Sequence, residues 1–136
     1  MTTKTLPLNF DQNAYVDNDI DIYALARMLG VSLGFLGDLT GLPARVIYDP
    51  EARLTPDAQA QLRDFIDILE ILMPKAGSVD ELVDMVASER ISALSNYTIR
   101  RLFHAGRSRH VLKVLRSAAF PLRSSTGGRF DVPVVV

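Results

Sequence analysis

Thr55-Pro56-Asp57-Ala58-Gln59-Ala60-Gln61-Leu62-Arg63-Asp64-Phe65-Ile66-Asp67-Ile68-Leu69-Glu70-Ile71-Leu72-Met73-Pro74 is the stretch on which the fold turns. Threonine, proline and aspartate in that order make a helix start: the hydroxyl accepts from an orphan amide, proline fits the first turn, and the carboxylate faces the positive end of the helix dipole. Leu62, Phe65, Ile66, Leu69, Leu72 and Met73 then follow the i, i+3, i+4, i+7 spacing of one apolar stripe, which Ile68 and Ile71 widen. A helix from Pro56 to about Met73, stopped by Pro74, is expected. Its broad apolar surface requires it to be central to the fold or to lie on a dimer interface.

Toward the N-terminus the punctuation is dense. Ile20 to Leu29 suits a short helix, with Asp17, Asp19 and Asp21 near its positive end and Gly30 as its terminator. The three aspartates have the alternate spacing of calcium ligands, but Ile22 and Met28 stand where an EF-hand loop needs Gly and Glu. Ser32 caps a second helix through about Leu39, Gly41 ends it, Pro43 begins a third and Pro50 closes it. Helices of about two turns are unstable singly, so these must pack together. Residues 1–18, rich in Asn, Asp and Thr and without periodicity, read as a mobile or extended arm.

Toward the C-terminus, Ser78-Val79-Asp80-Glu81 has the form of a capping box and opens a helix to about Ala87, with Leu82, Val83 and Val86 turned inward. Ser95 or Asn96 caps another through His104, with Gly106 after it. Ser108 starts the last, carrying Val111, Leu112, Val114 and Leu115 to about Ala119, and Pro121 stops it. The segment from Leu122 to Val136 reads as a flexible hinge and an apolar end. The expected fold class is all-α.

With 136 residues, 48% of them hydrophobic, the chain suits one compact domain plus tails. No apolar run approaches the roughly 20 residues needed to cross a bilayer, and Met1 to Pro7 lacks the pattern of a signal peptide. Cysteine is absent, which removes disulfides, thiolate zinc sites and thiol nucleophiles. A soluble, cytoplasmic protein with no membrane association is expected.

The formal charge of −1 averages two unlike segments. Residues 1–89 hold six Lys/Arg against fifteen Asp/Glu, a net of −9, whereas residues 90–136 hold nine Lys/Arg against Asp131 alone, a net of +8. Such halves meet different partners, or meet each other within a monomer or across a dimer.

Catalytic constellations are not evident. His104 and His110 are six apart and interrupted by Gly106, so they lack the i, i+4 geometry of a two-histidine metal site. Ser124-Ser125-Thr126-Gly127-Gly128 lacks the Gly-Lys-Ser/Thr of a phosphate loop and reads as linker. Neither a Gly-x-Ser-x-Gly elbow nor a Rossmann glycine pattern occurs, and the carboxylates show no acid–base pairing. A non-enzyme without cofactor or metal is expected.

Leu25-Ala26-Arg27-Met28-Leu29-Gly30-Val31-Ser32, followed by Leu36 and Leu39, has the spacing of a helix-turn-helix: Ala26 permits close approach, Gly30 the turn, and Leu36 anchors the second helix. In one register Leu33-Gly34-Phe35-Leu36-Gly37-Asp38 would face DNA, a surface without a cation. In the other, the helix after Pro43 would present Arg45 and Tyr48 as DNA-binding residues. Simple helical packing gives the same spacing, and a front segment of net −9 repels phosphates.

From about Leu25 to Ser117 the order of parts resembles the Xre/MbcA/ParS class of bacterial antitoxins. The residues that carry the resemblance are Leu25 to Ser32, then Gly41-Leu42-Pro43-Ala44-Arg45-Val46-Ile47-Tyr48, then Glu51-Ala52-Arg53-Leu54-Thr55-Pro56-Asp57-Ala58 leading into Leu62, and finally Leu102-Phe103-His104-Ala105-Gly106 with Val111, Val114 and Leu115. The toxin-binding half diverges: Val86-Ala87, Arg90 and Thr98-Ile99 stand in the neighbourhoods where the family usually has a Trp-Leu pair, a proline and a Thr-Pro step. The resemblance implies a homodimeric antitoxin of a type II toxin–antitoxin system that neutralises a RES-domain, NAD-consuming toxin, and such antitoxins often repress their own operon. Taken with the punctuation, it gives an expected division into an arm (1–18), a helix-turn-helix-like region (19–54), a helical dimerisation and toxin-binding region (55–120) built on the long central helix, and an extended tail (121–136). On that reading the basic back has a use: Arg100, Arg101, His104, Arg107, Arg109, His110, Lys113 and Arg116 are expected to meet an acidic toxin face, with the tail, including Arg123, Arg129 and Phe130, reaching a cleft. A helix-turn-helix transcriptional regulator bound to operator DNA without a toxin partner is the alternative.

Overall fold

The computed structural model describes residues 6–117. The fold is all-α, its only strands among those residues being β1 (Tyr15–Val16) and β2 (Asp19–Ile20), an antiparallel hairpin that pairs Tyr15 with Ile20 and Val16 with Asp19. The helices are α1 (Phe10–Asn13), α2 (Ile22–Leu29), α3 (Leu33–Thr40), α4 (Ala44–Ile47), α5 (Pro50–Arg53), α6 (Pro56–Leu72), α7 (Val79–Ala87), α8 (Ile99–His104) and α9 (Ser108–Ser117).

Helix α6 is the centre on which the others pack. The Thr55 hydroxyl accepts from the Ala58 amide at its start, and the helix tightens into a 3-10 turn at Met73–Lys75, where Pro74 has no amide to donate. Leu62, Phe65, Ile66, Ile68, Leu69 and Leu72 are all buried within the chain, so the wide apolar stripe is used internally. Phe65 meets Phe103 of α8 edge to face, ring centroids 5.8 Å apart. Helix α9 runs along α6, burying Val111, Leu112 and Leu115.

Two polar residues of α6 are also buried, each with partners. Gln59 accepts from the Ile20 amide at 2.8 Å and donates to the Arg53 carbonyl at 3.0 Å, tying β2 and α5 to the long helix. Asp64 accepts from Ser108 and Arg109 of α9. Both would be costly if left unpaired in an apolar setting, and so they fix how their neighbours seat.

The short helices follow the sequence punctuation with four corrections, the first being that the helix expected from Ile20 starts at Ile22, because Ile20 pairs with Tyr15 in β2. Asp21 caps α2 and Gly30 closes it at φ 71°; Ser32 caps α3 and Gly41 closes it at φ 75°. Pro50 opens a helix rather than closing one, because the Asp49 carboxylate accepts from the Glu51 amide and gives α5 its own start. The expected arm over residues 1–18 is folded from Phe10: Asn9 caps α1, Phe10 and Ala14 are buried in the core, and Asp17 and Asn18 form the hairpin turn with positive φ. Finally, α8 is capped by Thr98, whose hydroxyl accepts from the Arg101 amide; Ser95 and Asn96 lie instead in a left-handed turn closed by the Ile91–Tyr97 bridge. The Ser78 box forms as expected, except that the Glu81 carboxylate reaches the Gly77 amide. The tail over 121–136, with Arg123, Arg129 and Phe130, lies outside the described residues.

Candidate binding face on the last two helices

Burial of Ile99, Leu102 and Phe103 leaves the outer side of α8 to Arg100, Arg101 and His104. Burial of Val111, Leu112 and Leu115 likewise turns Arg109, His110, Lys113 and Arg116 of α9 outward, with Arg107 exposed just before it. The basic segment therefore presents its cations along one pair of helices.

Four of them meet carboxylates of the acidic segment. Arg100 donates to Asp38 of α3 at 2.7 Å. His104 Nε2 lies 2.6 Å from the Asp38 carbonyl oxygen and 3.1 Å from its carboxylate; both are acceptors, so this nitrogen carries the proton. Arg109 donates to Asp64 at 2.7 Å, and Arg116 reaches Asp67 at 3.4 Å. The two oppositely charged halves thus meet within one chain. Arg101, Arg107, His110 and Lys113 are exposed and make no ion pair among the described residues; Arg101 stacks over the Tyr97 ring, 5.4 Å from its centroid.

The electrostatics differ along this seam. The hydrogen bond and charge of Asp64 raise the Arg109 pKa above its ordinary value. Desolvation holds Asp67 above the usual carboxylate range in spite of Arg116, and Glu70 is raised by desolvation and by Asp11 and Asp67. Tyr15 is raised by burial, against the opposing pull of Arg63.

Beside α8 lies a groove of about 430 Å³, lined by Asp38, Arg90, Asn96, Tyr97, Thr98, Arg100, Arg101 and His104. Arg100, Arg101 and His104 were expected at a binding surface. Arg90 and Tyr97 were not singled out for one, because only the loop closed by Ile91 and Tyr97 brings them to α8.

The expected DNA-facing residues occupy the opposite sequence half. Arg45 is exposed on α4, a helix of four residues, and Tyr48 is exposed after it, its hydroxyl close to Gly34 of α3. Helices α2 and α3 meet at 95° across Gly30, within the range of a helix-turn-helix. However, α3 packs against α8: a Cβ at Gly41 would come within 2.6 Å of the Phe103 carbonyl oxygen, and Asp38 is held by Arg100 and His104. A helix in that position is partly covered and its solvent side carries Gly34 and Phe35, so it has no cation with which to read bases.

Among the described residues no group of three or more His, Asp or Glu side chains is placed to hold a metal ion, and no single helix is long and apolar enough to cross a membrane. Comparison with protein-family models, curated proteins and solved structures gives no match.

Proposed function

We propose that this chain is an antitoxin that masks a RES-type, NAD-consuming toxin through the outer face of α8 and α9. The single observation that carries the reading is the division of the basic cations. Asp38, Asp64 and Asp67 pair with Arg100, Arg109 and Arg116, Asp38 also holding the His104 ring, and Arg101, Arg107, His110 and Lys113 remain exposed without a carboxylate. His110 and Lys113 share a side of α9, and Arg107 precedes them. Exposed basic side chains of this kind favour a partner with an acidic surface, where arginines act as planar anchors and the field speeds encounter. The 95° α2–α3 unit, followed by the long α6, supports the same order of parts as the antitoxin class.

On this reading the protein acts in the cytoplasm and performs no chemistry itself; the enzyme is its partner. A homodimer belongs to the proposal, but it must use a surface other than the α6 stripe, which is buried within the chain. Operon repression through Arg45 and Tyr48 is secondary, because so acidic a front half weakens attraction to phosphates.

The test is co-expression with a RES-domain toxin encoded beside it. The chain should relieve growth arrest and co-purify with the toxin, and Arg101→Glu with Arg107→Glu and Lys113→Glu should abolish both while leaving the helical circular-dichroism spectrum intact. Failure of the unaltered chain to bind or protect, or full protection by the triple variant, would sink the proposal.

A further inference from the structure

The groove beside α8 has a chemistry of its own. Arg90, Arg100 and Arg101 line it against the single carboxylate of Asp38, giving the lining a net charge of +2 when His104 is neutral. Asp38 already pairs with Arg100 and His104, so that part of the wall is held in place by the protein itself. Arg90 and Arg101 remain as the two guanidinium groups without a carboxylate partner among the described residues.

The backbone brings both to the rim. The Ile91 amide donates to the Tyr97 carbonyl at 3.2 Å and the Asn96 amide donates to the Ile91 carbonyl at 3.0 Å, closing the loop that returns the chain to Arg90. Within it Ser95 and Asn96 hold φ of 59° and 66°, a region that non-glycine residues seldom occupy and that the loop closure imposes. Arg101 is oriented by the Tyr97 ring beneath it. Asn96, Tyr97 and Thr98 add neutral hydrogen-bonding groups to the same rim.

We propose that this groove binds the phosphate of a small phosphorylated molecule, a phosphate monoester or diphosphate, with Arg90 and Arg101 contacting the oxygens. The +2 lining matches a phosphate dianion better than a lone carboxylate, and two guanidinium forks suit its geometry. The volume of about 430 Å³ lies in the range of small-molecule sites. A nucleic-acid backbone fits less well, since the acidic front half opposes a long polyanion. The groove shares Arg101 with the proposed toxin face, while Arg90 and the loop from Ile91 to Tyr97 belong to the groove alone.

The experiment is an amide NMR titration of the nitrogen-labelled full chain with pyrophosphate and with adenosine monophosphate, and in parallel with citrate and a short DNA duplex. Saturable shifts should map to Arg90, Asn96 to Arg101 and His104, with affinity of roughly 0.1–1 mM, and Arg90→Ala with Arg101→Ala should weaken it at least about tenfold. The variant's remaining resonances should stay in place, which separates lost binding from lost fold. No saturable shift with either phosphate ligand would overturn the proposal. So would equal affinity for citrate, tighter occupation of the same amides by the duplex, or undiminished binding in the double variant.

Discussion

Replacing Ser108 with alanine isolates the contact that seats α9 on α6. The Asp64 side chain is 4% exposed, and its carboxylate accepts from the Ser108 hydroxyl at 2.9 Å and from Arg109 at 2.7 Å. The Arg109 side chain is 79% exposed, so water and salt screen its half of the clamp. The hydroxyl is buried with the carboxylate, and its loss leaves a charged oxygen desolvated. A hydrogen bond to a charged acceptor contributes about 1.5–3 kcal/mol, and about 1 kcal/mol moves the midpoint of a domain this size by roughly 4 °C, so Ser108→Ala should lower Tm by roughly 6–12 °C. Urea unfolding of the unaltered chain, Ser108→Ala, Asp64→Ala and the double variant gives the coupling directly. It should exceed about 1 kcal/mol and persist at about 1 M salt, where the screened contribution of Arg109 fades. A coupling under about 0.5 kcal/mol, or one that vanishes in salt, would contradict the assignment of the clamp to the buried hydroxyl.

Gly41→Ala should destabilise more than Gly30→Ala. Both positions have positive φ and cost about 1–2 kcal/mol for that alone, but only at Gly41 does the added carbon strike backbone, at Phe103, so thermal melts should separate the two variants. Phe103→Ala removes a buried ring packed on Phe65 and should cost about 3–5 kcal/mol in urea titrations; a loss below about 1 kcal/mol would deny its place in the core. Asp67 and Glu70 are held above the usual carboxylate range, so the folded chain takes up their protons before the unfolded chain does. Their contribution to stability therefore grows as pH falls from neutrality through the raised values and levels off below the ordinary ones. Compared with the unaltered chain, an Asp67→Asn/Glu70→Gln variant should show a flatter rise in urea midpoint over that interval; identical pH profiles would refute the linkage.

The legible part of this fold lay in its punctuation. Thr55, Ser32 and Ser78 cap helices where a hydroxyl before an apolar run says they should, and Gly30 and Gly41 take the left-handed conformation that ends a helix. These are local interactions, complete within about one turn. The start of α8 escaped because Ser95 and Asn96 are good caps locally and are held in a turn by the Ile91–Tyr97 pairing, which no local signal announces. The segment from Phe10 to Asn18 escaped because it contributes two core side chains, Phe10 and Ala14, too few to establish a period. Asp64 and Gln59 are polar letters beside an apolar stripe, and only their distant partners explain their burial.

The candidate face was legible as a segment and not as a surface. Charge counting located the cations beyond Glu89, but tertiary packing decides which of them meet Asp38, Asp64 and Asp67 and which remain outward. Arg90 and Tyr97 reach the groove through a loop closure that spacing alone does not encode.

The most direct measurement is hydrogen–deuterium exchange on the chain alone and in the presence of the proposed partner, a RES-domain toxin encoded beside it. Added protection is predicted from α8 through α9, spanning Arg101, Arg107, His110 and Lys113, with α2 and α4 unchanged. Protection confined to α2–α4, or none at all in a stable complex, would contradict the claim that the cations left unpaired by the acidic half form the docking face.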